Sequence, residues 1–197
     1  MKRKRLCNII VCILCAVNAA FSASNDSIYQ GMIIKLDLAT PALTAGTSKG
    51  KMQHYELAMN WRVIQRLYPT LELGYAGGTI VKADTINYRG QGGFARVGLD
   101  LNPLKKHPES PHALLIGVRL GTAVQTKGYA DCWGEITAGC QVEIVEVRNT
   151  AFYMGWMGRL KCLFTRGEKY ATTTYIPGFG NRDNIGWGVN YFLGWRF

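Results

Sequence analysis

The chain has 197 residues, of which 48% are hydrophobic and only 18% are charged, and its formal net charge is +10. This hydrophobicity is too high, and this charge density too low, for an intrinsically disordered chain. The 23 glycines follow no three-residue period, which excludes a collagen-like structure, and the length is that of one domain or at most two.

The N-terminal residues 1–22 are predicted to be a cleaved secretory signal peptide, and residues 23–197 the mature domain. Residues 2–5 are all Lys or Arg, an apolar core follows, and Ala20 and Ser22 place small side chains at the cleavage site. The apolar run of about 15 residues is shorter than the ~20 that a membrane-spanning helix needs. After cleavage no long basic run and no nucleic-acid-binding motif remains, so we expect no nucleic-acid partner.

Apolar residues at every second position predict that the mature chain is built from β-strands. In the last segment, seven successive odd positions from Ile185 to Phe197 are apolar or aromatic, an arrangement that a strand places on one face. The same test predicts eight strands, at residues 28–40, 53–63, 70–76, 92–102, 112–123, 139–148, 151–164 and 185–197. The apolar phase changes between Ile144 and Val145, which predicts a bulge or a shifted register within 140–147.

The connections between these strands alternate in length. Residues 41–52, 77–91, 124–138 and 165–184 form long segments rich in Gly, Thr, Lys and Asn, whereas 64–69, 103–111 and 149–150 are shorter. Long loops on one side and short turns on the other, joined by strands near the ~9–11 residues that cross a bilayer, are typical of outer-membrane barrels. We therefore predict an all-β fold, an eight-stranded antiparallel up-and-down transmembrane β-barrel.

The two faces of the predicted strands differ in polarity. The apolar faces carry aromatic residues near the strand ends, where an interfacial girdle would lie: Trp61, Tyr75, Trp187, Trp195 and Phe197. The opposite faces carry charges of both signs, at Lys35, Arg62, Arg96, Arg119, Arg159, Lys161, Arg196, Asp37, Glu56, Glu72 and Asp100. An eight-stranded barrel has just enough interior for side chains, so we expect these charges to pair rather than to line an open pore.

The C-terminal residues 190–197, Asn-Tyr-Phe-Leu-Gly-Trp-Arg-Phe, resemble the assembly signal of small bacterial outer-membrane β-barrel proteins. Asn190, Trp195 and Phe197 fit that signal, whereas Phe192 stands where Gly is preferred. The mature chain also resembles a family of exported proteins from Bacteroides-type bacteria that is classed only as a domain of unknown function, through residues 68–75, 98–102 and 117–121. The first resemblance implies recognition of the C-terminal strand by the barrel-assembly machinery, and the second implies no activity.

No catalytic, cofactor-binding or metal-binding residue is predicted. Lipid A deacylases with this architecture carry a His-x-Ser pair, but here the residues two positions after His54, His107 and His112 are Glu, Glu and Leu. Glu56 and Glu72 occupy inward positions of adjacent strands and resemble an acid–base pair. Pairing of each with Arg62, Arg96 or Arg119 is the preferred interpretation, because structural ion networks produce the same proximity.

Three cysteines remain in the mature chain, at Cys132, Cys140 and Cys162. Because an exported chain meets an oxidising compartment, they predict either a disulfide, with Cys132 and Cys140 closing a short loop and the odd cysteine left over, or three free thiols. A zinc site needs more ligands than these cysteines supply, and the three histidines lie far from them in sequence.

Together these observations predict a non-catalytic protein of the cell outer membrane with a structural, adhesive or surface-binding role. The expected partners are outer-membrane lipid, the barrel-assembly machinery, and an extracellular protein or glycan bound by the long loops. Loop 165–184 supplies residues suited to such binding, namely Arg166, Lys169, Tyr170, Tyr175, Phe179 and Arg182. The alternatives are a lipid-modifying enzyme and a soluble periplasmic, lipocalin-like barrel that binds a ligand inside.

Overall fold

The computed structural model of the chain describes residues 31–38, 52–63, 66–82, 85–104, 112–125, 130–148, 150–165 and 175–196. Its strands are β1 (Met32–Asp37), β2 (Met52–Trp61), β3 (Leu67–Lys82), β4 (Thr85–Leu101), β5 (Ala113–Gln125), β6 (Ala130–Val147), β7 (Thr150–Leu163), β8 (Tyr175–Ile176), β9 (Gly180–Asn181) and β10 (Ile185–Arg196). Within these ranges no helix is long and apolar enough to cross a membrane.

Eight of the strands form a closed barrel in the order β1-β2-β3-β4-β5-β6-β7-β10, and each strand is antiparallel to its neighbours. The sheet closes where β10 pairs with β1, in a register that places Leu193 opposite Leu36. The predicted eight-stranded antiparallel barrel is thus confirmed. The predicted signal peptide, most of the 103–111 turn and Phe197 lie outside the described residues.

Two of the long loops expected from the sequence are largely strand instead. The β3–β4 hairpin continues to Lys82 and Thr85 across the expected loop 77–91, and β6 begins at Ala130, inside the expected loop 124–138. The first segment is rich in glycine and polar residues, which pair through the backbone without an apolar alternation. In the second segment, the inward side chains include Asp131 and Glu135. The sequence there lacks the regular alternation of apolar and polar residues on which the prediction depended.

The phase change predicted within 140–147 is a bulge in β6. The register between β6 and β7 shifts between Glu143 and Val145, so that Ile144 has no opposite residue. An extra residue on one strand reverses the facing of every residue after it. The strand then ends in a tight turn in which Arg148 adopts a φ of 58°.

The outward positions of the barrel strands are mainly apolar, whereas the charged side chains of these strands face inward. Along β5 every second residue is buried and every other one is exposed, so that Arg119 faces inward and Val118 outward. Thirty large hydrophobic side chains of the described residues are exposed. Among the described side chains, the outward positions of the eight barrel strands carry no Asp, Glu, Lys or Arg. This polarity is the reverse of that in a water-soluble barrel.

Candidate functional site

An ion-pair network around Arg159 fills the centre of the barrel. The Arg159 guanidinium lies 2.8 Å from Glu72 Oε2, 3.0 Å from Glu135 Oε2 and 3.1 Å from Glu56 Oε1. Arg96 contacts the same three carboxylates, each at 2.9 Å. All five side chains are buried. Because a buried charge is costly unless it is paired and hydrogen-bonded, each member of this network depends on the others.

The network continues through Arg119, which links Glu72 to Asp100. Arg119 Nε lies 3.1 Å from Glu72 Oε1, and Arg119 Nη2 lies 2.7 Å from Asp100 Oδ2. Glycine at position 117 makes room for this link, since a Cβ there would lie 2.0 Å from Asp100 Oδ1. The close approach of two charged side chains to the backbone therefore explains why this inward position of β5 is a glycine.

The interior is electrically balanced, although the whole chain is strongly basic. The buried charged residues in the described part of the chain are Asp37, Glu56, Glu72, Asp100, Asp131, Glu135, Lys35, Arg96, Arg119, Arg159 and Lys161. Six of these are acidic and five are basic, and the partly exposed Arg182 contacts the acidic Asp131 at 2.7 Å. Such a balance avoids an uncompensated charge in a medium where solvation is weak.

Residues 175–182, here called the plug, turn inward and close the barrel on the side of the long hairpins. Ile176 and Phe179 are buried in an apolar cluster with Trp133, and the Phe179 ring meets the Trp133 ring edge-on at 5.8 Å between centroids. Tyr175 packs against this cluster, and burial raises the pKa of its hydroxyl to about 12. The plug thus covers the ion-pair network with an apolar layer.

The plug is also hydrogen-bonded to the network beneath it. The carbonyl oxygen of Gly178 accepts hydrogen bonds from Arg96 Nη2 and from Lys161 Nζ, both at 2.7 Å. Phe94 packs under the same residue, since a Cβ on Gly178 would lie 2.6 Å from the Phe94 ring, and Gly178 has a φ of 75°. Glycine is the residue that combines this backbone conformation with this close approach.

A second apolar layer closes the barrel on the side of the short turns. It consists of the buried side chains of Tyr68, Ala113, Leu115, Met157 and Phe192. Between this layer and the network lies a cavity of about 20 Å³, lined by Lys35, Asp37, Glu56, Ala58, Asn60, Glu72, Arg119, Met157 and Phe192. This volume accommodates about one water molecule. In the described part of the chain, the side chains of the network and of the two apolar layers therefore occupy much of the barrel interior.

Among the residues that the structure describes, one group of buried side chains is able to hold a metal ion. Asp37, His54 and Glu56 each offer a ligand atom, and these atoms all lie within 4.8 Å of one another. The sequence places His54 and Glu56 on one face of β2, because they are two residues apart. It does not bring in Asp37, which depends on the pairing of β1 with β2. This group was therefore missed by the sequence analysis.

The two carboxylates discussed as an acid–base pair meet through shared arginines. Glu56 and Glu72 each contact Arg96 and Arg159, and Glu72 also contacts Arg119. The expected pairing with Arg96 is confirmed for both carboxylates. Glu135, which completes the network, was missed because it lies in the segment expected to be a loop.

The residues expected to form a binding surface in loop 165–184 divide into two groups. Arg166, Lys169 and Tyr170 lie outside the described residues. Phe179 is buried in the plug, and Arg182 is bound to Asp131. The three described members of the set, Tyr175, Phe179 and Arg182, thus contact the barrel interior.

The three cysteines of the described residues, Cys132, Cys140 and Cys162, are free thiols. Cys132 and Cys140 lie on the same strand, eight residues apart, which corresponds to roughly 26 Å at ~3.3 Å per residue. A disulfide requires Cα atoms within about 7 Å of each other. The expected disulfide within residues 132–140 is therefore wrong, and the other expectation, of three free thiols, is confirmed.

These features define a closed up-and-down β-barrel with a filled, charge-balanced interior and an apolar outer surface. The chain belongs to the family described as a domain of unknown function (DUF6048), whose sequence profile matches residues 3–130. The expected membership in an uncharacterised family is thus confirmed. Neither the curated proteins nor the solved structures include a significant match to the chain.

Proposed function

We propose that this protein is embedded in the outer membrane of a Gram-negative bacterium, of the Bacteroides type that the sequence resembles. The observation that carries the proposal is the apolar outer surface. Thirty large hydrophobic side chains of the described residues are exposed, whereas a soluble monomer rarely exposes a contiguous apolar patch of more than a few hundred Å². A bilayer is the environment that covers such a surface on all sides of a barrel.

The positions of the aromatic residues support the same proposal. Trp187 lies near the plug end of β10 and is 81% exposed, whereas Trp195 lies near the other end and stacks on Phe152 with 5.4 Å between ring centroids. Aromatic girdles at two levels are typical of membrane barrels, because these rings favour the interface between lipid and water. The 13 residues of β5 span roughly 43 Å, enough to cross a ~30 Å hydrocarbon core at a 45° tilt.

In this membrane we propose a non-catalytic role as an anchor that holds its loops at the cell surface for structural or binding purposes. The occupied interior supports this role over that of a porin, because the ion-pair network, the plug and the second apolar layer lie in the lumen. Purified protein in planar lipid bilayers is expected to give no stepwise conductance. Regular conductance steps would contradict the anchor role and favour a channel.

A soluble ligand-binding barrel is a poorer match to the geometry. Ligand pockets measure roughly 300–1,000 Å³ and are mostly apolar, whereas the cavity here has about 20 Å³ and is lined by charged side chains such as Lys35 and Glu72. The enzyme alternative is tested separately, by mass spectrometry of lipid A from cells with and without the gene. A changed lipid A profile would replace the anchor role by a lipid-modifying one.

The location is tested by cell fractionation followed by gel electrophoresis in SDS with and without boiling. A folded membrane barrel is expected in the outer-membrane fraction and to change its mobility only after heating. A soluble periplasmic protein from the same cells serves as the fractionation control. Recovery with that control, together with a mobility that heating does not alter, would refute the membrane location.

A further inference from the structure

We infer that Asp37, His54 and Glu56 form a binding site for a divalent transition-metal ion of the zinc class, which links β1 to β2. Asp37 is the last residue of β1, and the register that pairs Leu36 with Leu57 places it beside Glu56. His54 lies two residues before Glu56 on the same inward face. One imidazole nitrogen and two carboxylates, with a water as the fourth ligand, form a ligand set that zinc accepts.

The histidine supplies the independent observation that points to a ligand. His54 is 6% exposed, and neither Nδ1 nor Nε2 has a hydrogen-bond partner. A buried imidazole normally bonds through at least one nitrogen, because an unpaired polar group in the interior costs about 1–3 kcal/mol. Glu56 Oε2, the oxygen nearest to His54 Nε2, likewise has no hydrogen-bond partner. A bound cation would satisfy Glu56 Oε2 and one of the two imidazole nitrogens.

The separation between His54 and Glu56 agrees with this interpretation. His54 Nε2 and Glu56 Oε2 are 3.5 Å apart, and two ligands of a tetrahedral zinc ion at ~2.0–2.1 Å are separated by roughly 3.4 Å. This separation is also that of an ion pair with a protonated imidazole, which is the competing explanation. An ion pair, however, involves only His54 and Glu56, whereas the metal site uses the carboxylate of Asp37 as well.

Both carboxylates are hydrogen-bonded or ion-paired to surrounding residues, as metal-ligating carboxylates usually are. Glu56 binds Arg96 and Arg159 through Oε1, which leaves Oε2 turned towards His54. Asp37 Oδ2 accepts a hydrogen bond of 2.7 Å from Asn190 Nδ2. Such outer partners fix the orientation of ligands. The cavity of about 20 Å³ is lined by Asp37 and Glu56 and has room for the water ligand.

Zinc binding by the purified, folded protein tests the inference. The protein is prepared without a polyhistidine tag, treated with a chelator, and titrated with Zn²⁺ by calorimetry, with metal content measured by mass spectrometry. We expect one equivalent of bound zinc and a higher unfolding temperature in its presence. Co²⁺ in place of Zn²⁺ is expected to produce visible absorption bands of a low-coordinate site.

The variants separate this site from adventitious binding and from an ion pair. His54→Ala and Asp37→Asn are expected to lose the zinc and the thermal shift, and His54→Gln, which fills most of the space, guards against misfolding of the alanine variant. His112→Ala is the matched control, because His112 is an exposed histidine outside the group. Undiminished binding in the folded His54 variants, or no zinc binding by the unaltered protein, would overturn the inference.

Discussion

Replacing Val118 by lysine tests whether the outer surface faces lipid. Val118 lies in the middle of β5 and is 57% exposed, between Leu99 on β4 and Ile136 on β6. A lysine on the lipid face at the bilayer midplane costs about 2–4 kcal/mol of folding free energy, and near the interface about 0–1 kcal/mol. In water the same exposed substitution stays within about 0.5 kcal/mol.

Val124→Lys is the matched control for this prediction. Val124 occupies the same face of the same strand and is 59% exposed. It lies six residues further on, which is roughly 20 Å along the strand and about 14 Å along the membrane normal for a 45° tilt. This displacement moves the lysine from the middle of a ~30 Å hydrocarbon core to its edge, so the two variants are expected to differ by about 2 kcal/mol.

The assay is equilibrium unfolding in urea of protein folded into phospholipid vesicles, followed by tryptophan fluorescence. The free energy of unfolding is obtained by linear extrapolation for the unaltered protein and both lysine variants. If Val118→Lys and Val124→Lys both lie within about 0.5 kcal/mol of the unaltered protein, the outer surface does not face lipid. The argument for a membrane barrel then fails.

Three further predictions concern the interior. Glu72→Gln removes the charge that faces three arginines and is expected to lower the free energy of unfolding by about 3–5 kcal/mol in the same urea titration. A decrease of less than about 1 kcal/mol would show that the remaining carboxylates compensate for the lost charge. Phe179→Ala is expected to expose the plug to proteolysis while the heat-dependent gel shift persists. Unchanged cleavage would show that Phe179 does not hold the plug in place. Gly121→Ala places a Cβ 2.3 Å from the Trp133 ring and should lower stability by about 1–3 kcal/mol, whereas Gly158→Ala, with its nearest neighbour at 3.6 Å, should be close to neutral.

The sequence predicts the strands whose two faces differ in polarity and fails where both faces are mixed. In β5 and β10 apolar outward residues alternate with inward ones that are mostly small, polar or charged, so the existence of these strands follows from the side-chain period of a strand. In the first half of β6 the inward side chains include both Trp133 and Glu135, and no single-sided alternation remains. Inward charges were therefore predictable as a class, although Asp131 and Glu135 were not.

Contacts between distant strands depend on the register of the whole sheet, which no local pattern contains. The pairing of Arg159 with Glu56 joins residues 103 positions apart. The plug turns into the barrel and contacts Arg96 through the carbonyl oxygen of Gly178. The space that it occupies exists only when the barrel is closed. The group of Asp37, His54 and Glu56 likewise depends on how β1 is aligned with β2. The sequence predicts the sign and facing of these charges but not their partners.

The central position of Arg159 has a consequence for the rate of folding. Its guanidinium contacts Glu56 on β2, Glu72 on β3 and Glu135 on β6, with sequence separations of 103, 87 and 24 residues. Contacts at such separations form late, because a long loop must be closed first. A partly assembled sheet leaves this cation without its carboxylates. We therefore expect the last strands to join in a single slow, cooperative step.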